Sequence, residues 1–206
     1  MRKIINVLVW LLASSMSFTA CAQSKTSKEQ TKMENKKVLV AFFSRTGENY
    51  AVGNISKGNT HIVAEMIAEK TGGKLFQIEP VNPYPDNYDD CVELAKQEMN
   101  AKKRPAIKSD VPVEDYDVIF IGYPNWWGDM PMPVYTFIEK HNWQGKTIIP
   151  FCTHEGSGMG STAGKLQQAC KGATAQKGLA MFGHTAQNSR EEARTTVADW
   201  LKELKF

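Results

Sequence analysis

Three runs of the chain are continuously apolar and do not alternate between apolar and polar residues. They span 38–43, 118–121 and 147–151. Uninterrupted apolar runs of this length are typical of parallel strands that helices cover on both faces. We therefore predict that these runs form the central strands of a parallel sheet. Weaker runs at 75–78 and 179–182 suit its second and last strands.

Segments with the helical spacing of apolar residues separate these strands. The first starts near Ile62 and stops at Gly72 and Gly73, while the last begins at Ser189, which forms a capping-box pattern with Glu192. Further helices are predicted around 88–102, 132–140 and 162–170. Five strands that alternate with five helices indicate a three-layer, doubly wound α/β sandwich.

The N-terminal segment has the layout of a secretory signal. Arg2 and Lys3 precede an apolar run over 4–13, which is too short for a permanent membrane span. Residues 18–21 resemble a bacterial lipobox that ends in the lipidated residue Cys21, although cleavage before Gln23 also fits. We favour lipidation, and we predict an exported protein that is lipid-anchored in the bacterial envelope or periplasmic.

Three segments follow from this division of the chain. Residues 1–20 form a signal peptide of the lipoprotein type, and residues 21–36 form a flexible tether with almost no apolar residues. Residues 37–206 then form one domain.

Charge and cysteine content exclude several classes of function. The net charge of +3 falls to +1 without residues 1–20, so there is no electrostatic case for binding nucleic acid. Beyond Cys21 the chain has only Cys91, Cys152 and Cys170, and none has C-x-x-C spacing. One disulfide among the three is possible. The pattern argues against both a disulfide scaffold and a metal site.

The loops that follow the three central strands carry the candidate chemistry. In an open parallel α/β sheet, ligands bind beyond the carboxyl ends of the strands. The loops cover Ser44–Gly47, Tyr123–Gly128 and Thr153–Gly160. We therefore expect one site at this edge, built from hydroxyls, backbone N–H groups and flat aromatic surface.

The first loop is one half of an interrupted phosphate-binding signature, and 58–60 supplies the other half. Glycines let the backbone curl around a phosphate, while hydroxyls and the N–H groups of a helix N-terminus donate to it. The overlapping segment 53–60 is a near miss to the P-loop of nucleotide triphosphatases, but Asn59 stands where that motif needs lysine. No strand is followed by G-x-G-x-x-G, which removes the usual basis for an NAD site.

The other two loops suit a flat ring. Trp126 and Trp127 follow their strand in tandem, and an exposed indole is costly unless it covers something planar. Backbone N–H groups of the glycine-rich third loop can reach the polar edge of such a ring. We interpret Glu155 as a solvated loop charge, and we predict no catalytic side chain.

With these loops assembled, the chain resembles the flavodoxin family, in particular the subgroup with S-R-T-G in the first loop and Y-P-x-W-W in the second. The resemblance covers about residues 37–206. It implies a five-stranded sheet in the order 2-1-3-4-5 and non-covalent binding of FMN. The phosphate would lie at the first loop, and the isoalloxazine ring between the second and third.

The resemblance also implies a set of cofactor-binding residues. For the phosphate these are the side chains of Ser44, Thr46, Asn59 and Thr60 with the backbones of Arg45 and Gly47. Around the ring they are Pro124, Asn125, Trp126, Trp127, Gly128, Thr153, His154, Glu155, Gly156 and Gly158. Which tryptophan faces the ring is left open.

The chain departs from the family pattern at 48–57, which interrupts the phosphate loop. We interpret this segment as an outward excursion. Either its Tyr50 folds over the cofactor, or the segment serves as a docking surface.

The leading hypothesis is a membrane-tethered FMN protein that passes electrons to or from a redox partner protein or a small-molecule acceptor. One alternative is an FMN-dependent reductase that takes hydride from NAD(P)H or reduces a quinone. Another is a flavin-free binding module of the envelope.

Overall fold

A computed structural model of the protein describes residues 36–205. The signal peptide, Cys21 and nearly all of the predicted tether lie outside these residues. The strands are β1 (Val38–Phe42), β2 (Gly47–Asn49), β3 (Gly53–Ile55), β4 (Lys74–Gln77), β5 (Val118–Pro124), β6 (Thr147–His154), β7 (Thr174–Ala175) and β8 (Leu179–Phe182). The helices are α1 (Asn59–Thr71), α2 (Tyr88–Asn100), α3 (Met132–Glu139), α4 (Thr162–Ala169), α5 (Gly183–Asn188) and α6 (Arg190–Glu203).

The main sheet is parallel and has the predicted order. Its strands run β4-β1-β5-β6, and β6 pairs with β8 through its C-terminal half and with the two-residue strand β7 through its start. The five predicted strands thus occupy the order 2-1-3-4-5, and β7 is an addition. The prediction of a doubly wound α/β sandwich is confirmed.

Alternate residues of the central strands enter two separate cores, one on each face of the sheet. Leu39 and Ile119 pack with α2, α3 and α4, whereas Val40 and Phe120 pack with α1 and α6. All four side chains are fully buried. This double burial explains why the runs are continuously apolar.

Gly122 on β5 allows a close approach between neighbouring strands. A Cβ atom at this position would lie 2.1 Å from Cζ of Phe151 on β6, and that ring is fully buried. The aromatic ring therefore occupies the space that a side chain at residue 122 would need.

The start of α6 differs from the predicted capping box. The Ser189 side chain makes no capping hydrogen bond, and its N–H donates to the carbonyl of Thr185 in α5. Since the chain enters α6 directly from α5, which the sequence did not indicate, Ser189 does not adopt the usual capping conformation.

The described residues contain no disulfide, because Cys91, Cys152 and Cys170 are free and buried. No three His, Cys, Asp or Glu side chains within 36–205 are grouped as a metal site. No helix in this range has both the length and the apolar character needed to cross a membrane.

Candidate functional site

The three predicted loops meet at the carboxyl edge of the sheet and line one cleft of about 360 Å³. Nine predicted site residues line it: Arg45, Asn59, Pro124, Asn125, Trp126, Trp127, Thr153, His154 and Glu155. The others lie in the same loops or, for Thr60, in the first turn of α1, but not on the cleft wall: Ser44, Thr46, Gly47, Thr60, Gly128, Gly156 and Gly158.

The two halves of the interrupted phosphate signature are in contact. Ser44 Oγ accepts a hydrogen bond of 3.1 Å from the N–H of His61 in the first turn of α1. A Cβ atom on Gly58 would lie 2.2 Å from that oxygen and 2.4 Å from the carbonyl oxygen of Arg45. Only glycine therefore lets the first loop lie against the start of α1.

Backbone donors at this junction are free to bind an anion. Among residues 36–205, nothing accepts from the N–H groups of Arg45, Thr46, Asn59 or Thr60. Unpaired N–H groups at a helix N-terminus are the usual protein donors to phosphate. The donor set therefore fits the phosphate of FMN.

The hydroxyls of the two predicted threonines differ in their surroundings. Thr46 is exposed, whereas Thr60 is buried with its Oγ1 2.7 Å from Oγ1 of Thr153. The Thr60 side chain thus joins the start of α1 to the third loop, while the Thr46 residue is exposed.

Asn59 carries an unsatisfied polar atom at the cleft. Its Oδ1 is the one buried side-chain oxygen or nitrogen within 36–205 that has no hydrogen-bond partner. A buried acceptor without a donor costs about 1–3 kcal/mol. A hydroxyl or N–H group of a bound ligand would remove this cost.

The Arg45 side chain fixes the first loop to the segment before α2. Its guanidinium donates to the carbonyl oxygens of Pro85 at 2.6 Å, Asp86 at 2.7 Å and Asn87 at 3.2 Å, and also to that of Glu48. Because these carbonyls occupy its donors, the guanidinium supports the loop.

The two tryptophans of the second loop have different environments. The Trp126 ring is packed edge-on against Phe43 and Tyr84, with centroids 5.3 and 5.0 Å apart. The Trp127 ring is 51% exposed, and its Nε1 donates to the carbonyl of Val92 at 3.3 Å. Trp127 is therefore the tryptophan with a ring face available to a ligand.

A tight turn presents Trp127. Both Trp127 (φ 54°) and Gly128 (φ 73°) have positive φ, and Trp126 and Asp129 on either side exchange two backbone hydrogen bonds. Positive φ is unfavourable for a bulky residue and is found where surrounding structure enforces it. Asn125 helps to enforce this turn, since its Oδ1 accepts from the N–H of Gly128 and its Nδ2 donates to the carbonyl of Gly158.

Glu155 in the third loop is not a solvated charge, and that interpretation was wrong. Its side chain is 14% exposed and accepts hydrogen bonds from the N–H of His184 at 2.8 Å and from Nδ1 of that residue at 2.6 Å. His184 lies in α5, 29 residues further along the chain. Sequence spacing gave no sign of this partner.

His154 is held neutral beside the cleft. Burial lowers the pKa of its imidazole below the usual value, and His184 adds to this, while Glu155 acts in the opposite direction. Its Nδ1 accepts from the N–H of Gly156, which leaves Nε2 to carry the proton.

This shift predicts lower stability in acid. A depressed pKa in the folded state means that the unfolded chain binds more protons once the pH falls through about 6.5, the usual histidine pKa, so the free energy of unfolding should decrease from there. His154→Gln should reduce this dependence but not abolish it, because burial lowers the pKa of His61 too. Urea unfolding of the wild type and of His154→Gln at pH 7.5 and 5.5 measures how far the free energy of unfolding falls in each protein. An equal decrease in both proteins would contradict the depressed pKa of His154.

Further cleft residues come from the 48–57 segment and from α2. They are Asn49, Tyr50, Tyr88, Cys91, Val92 and Ala95, with Ser157 from the third loop. The segment is not a simple outward excursion, since it folds as the hairpin β2–β3 and brings Tyr50 to the cleft. Burial raises the pKa of the Cys91 thiol to about 11.

Comparison with known proteins agrees with this architecture. The family model for Flavodoxin matches residues 37–204. The chain belongs to the flavodoxin family. Membership supports the prediction that FMN is the cofactor, and the free N–H groups at the first loop fit its phosphate.

Several solved structures of flavoproteins have the same fold. A candidate flavoprotein from Bacteroides eggerthii is 35% identical, with a TM-score of 0.65 over 82% of this chain and 97% of its own. One from Bacteroides uniformis is 32% identical, with a TM-score of 0.66 over 82% and 99%. A flavoprotein from Lactobacillus acidophilus, solved in complex with FMN, is 19% identical and shares the fold, with a TM-score of 0.55 over 75% and 97%. No curated protein matches the chain.

Proposed function

We propose that this flavodoxin-family protein is an FMN-containing electron-transfer protein, held at the bacterial envelope membrane by a lipid on Cys21. The observation that carries the redox part is one cleft that is bordered by the unpaired N–H groups of the first loop and the start of α1, and that has the exposed indole of Trp127 on its wall. A monophosphate joined to a flat ring matches both features.

The bound flavin would supply the redox chemistry, and the chain would hold and tune it. The N–H groups of Arg45, Thr46, Asn59 and Thr60 would hold the phosphate. The Trp127 indole would cover the ring. The third loop is kept in position by Glu155 and by the bond from Asn125 to Gly158.

The visible spectrum of the full-length protein, purified in detergent, tests this proposal. We expect flavin absorption bands, and we expect chromatography of the released cofactor to identify FMN. A colourless protein that stays colourless after incubation with FMN would support the flavin-free binding module instead.

Anaerobic mixing with NADH or NADPH then separates the carrier from the reductase. A carrier keeps its oxidised spectrum until a partner protein and its reductant are added. Rapid bleaching by the nicotinamide alone would favour the reductase. The membrane anchor is tested separately, because Cys21→Ser should move the protein from the membrane fraction to the soluble fraction of lysed cells.

A further inference from the structure

A second cavity, of about 350 Å³, lies beside the C-terminal half of α2. It is lined by α2, by the segment that follows β4 and by the segment that follows α2, and none of its lining residues lines the cleft assigned to the flavin. Tyr84 lies between the two sites. It lines the second cavity, and its ring packs edge-on against Trp126 of the cleft wall with centroids 5.0 Å apart. The second cavity is therefore a separate site.

Hydrogen bonds fix the two segments of its wall. The N–H of Val81 donates to the carbonyl of Ala106 at 2.8 Å, and the Oγ1 of Thr136 in α3 donates to the carbonyl of Pro105 at 2.9 Å. A wall that is already held in place loses little conformational freedom when a ligand binds. The cavity is thus a built part of the fold.

The Glu98 carboxylate on this wall is buried without a cation. The residue is 9% exposed, and its Oε2 accepts a hydrogen bond from the hydroxyl of Tyr84. Its Oε1 has no partner within 36–205 and is accessible from the cavity. No lysine, arginine or histidine in that range forms an ion pair with this carboxylate. Because buried charges are normally paired, the site favours a cationic group on a ligand.

The place of Glu98 in α2 adds to this preference. The helix ends at Asn100, and its last turn contains no basic residue. Since the C-terminus of a helix carries a partial negative charge, a carboxylate there is unfavourable and a cation beside it is favourable. The carboxylate and the helix end therefore both attract an ammonium group to the cavity.

A cation on the same wall also lacks a partner. Lys103 is exposed, and its ammonium group forms no hydrogen bond or ion pair with any residue that the structure describes, Glu98 included. Arg104, the other cation of the wall, is already bound to the Glu139 carboxylate by hydrogen bonds of 2.8 and 2.7 Å. The cavity thus presents one carboxylate and one ammonium group that are not paired with each other.

We propose that this cavity binds a small zwitterion of the aliphatic α-amino acid class. The ammonium group of the ligand pairs with Glu98 and its carboxylate with Lys103, while its side chain contacts Pro83, Leu94 and Pro105. A ligand with only one charge leaves the opposite charge of the wall unpaired. This site does not depend on the proposed redox function, because it shares no lining residue with the flavin cleft.

Isothermal titration calorimetry of the full-length protein in detergent, with three probes at millimolar concentration, tests the proposal. L-Norvaline carries both charges, n-butylamine lacks the carboxylate, and pentanoate lacks the ammonium group. We expect norvaline to bind most tightly, with a Kd about threefold higher for n-butylamine and about tenfold higher for pentanoate. The contact with the buried Glu98 should contribute more than the contact with the exposed Lys103.

Two variants assign the contacts. Glu98→Gln should raise the Kd for norvaline about tenfold and Lys103→Gln about threefold. Lys103→Gln should leave the Kd for n-butylamine within about twofold of wild type, because that probe has no carboxylate. Glu93→Gln and Lys102→Gln are the matched controls, since both residues are exposed neighbours on the same segments and do not line the cavity.

Norvaline binding no tighter than that of pentanoate would overturn the proposal, and so would an unchanged norvaline Kd in Glu98→Gln. Equal losses in Glu98→Gln and Glu93→Gln would reduce the effect to general charge and overturn it too. Loss of norvaline binding on addition of FMN would place the ligand in the flavin cleft instead. If circular dichroism shows that Glu98→Gln is unfolded, the comparison of norvaline with n-butylamine in Lys103→Gln decides the question. A protein that binds norvaline through Glu98 but no FMN would refute the redox function and leave this site standing.

Discussion

Replacement of Gly58 by alanine should weaken FMN binding about 100-fold and change riboflavin binding less than about threefold. The added Cβ would lie 2.2 Å from Ser44 Oγ and 2.4 Å from the Arg45 carbonyl, so the first loop must move away from the start of α1. Hydrogen bonds to a charged group are worth about 1.5–3 kcal/mol each, and about 1.4 kcal/mol is a factor of ten. Loss of two such bonds to the phosphate gives the expected factor.

Flavin fluorescence titrations with both compounds measure this difference. Riboflavin lacks the phosphate, so it reports any general damage to the cleft. Gly164→Ala is the matched control, because a Cβ there meets nothing within 4 Å. Thr46→Ala is a milder change in the same loop, with an expected loss of about tenfold for FMN. Equal losses for FMN and riboflavin would mean that this loop does not hold the phosphate.

Alanine at Gly122 should lower the free energy of unfolding by about 3 kcal/mol. Forcing extra atoms into a packed core costs about 1–3 kcal/mol and sometimes more. The case here is severe, since the new Cβ would lie 2.1 Å from one carbon of the Phe151 ring and 2.3 Å from another. Phe151 is fully buried between β5 and β8, so its ring has little room to turn away.

Urea unfolding of the Gly122→Ala protein measures this cost. The same substitution at Gly164, inside α4, should instead add about 0.5–1 kcal/mol, because alanine is the better helix former. Combining Gly122→Ala with Phe151→Leu should cost less than the two single changes together, since a smaller side chain removes the clash. A cost below about 0.5 kcal/mol for Gly122→Ala alone would show that the strands separate without strain.

The parts of the fold that local pattern determines could be predicted from the sequence. The runs at 38–43, 118–121 and 147–151 are apolar because both faces of their strands are buried, and this property needs no knowledge of partners. The same holds for the stop of α1 at Gly72, where φ is 68°. The meeting of the three cleft loops could be predicted from the strands, because the carboxyl ends of parallel strands lie at one edge of the sheet.

The parts that depend on distant partners could not be predicted. The hairpin β2–β3 has three residues per strand and is held by contacts to 86–88, so its own sequence carries little strand signal. The environment of Glu155 depends on His184 in α5. The Ser189 pattern was misleading for a related reason, since the preceding helix already determines the direction of the chain there.

The protonation state of the Cys91 thiol determines how readily electrophiles modify the wall of the cleft. Quinones and other oxidised aromatic compounds add to thiolates but react slowly with protonated thiols, since the thiolate is the nucleophile. Burial raises the pKa of Cys91 to about 11, so the thiol stays protonated near neutral pH. The cysteine on the cleft wall is therefore a slow nucleophile towards electrophilic compounds that enter the cleft.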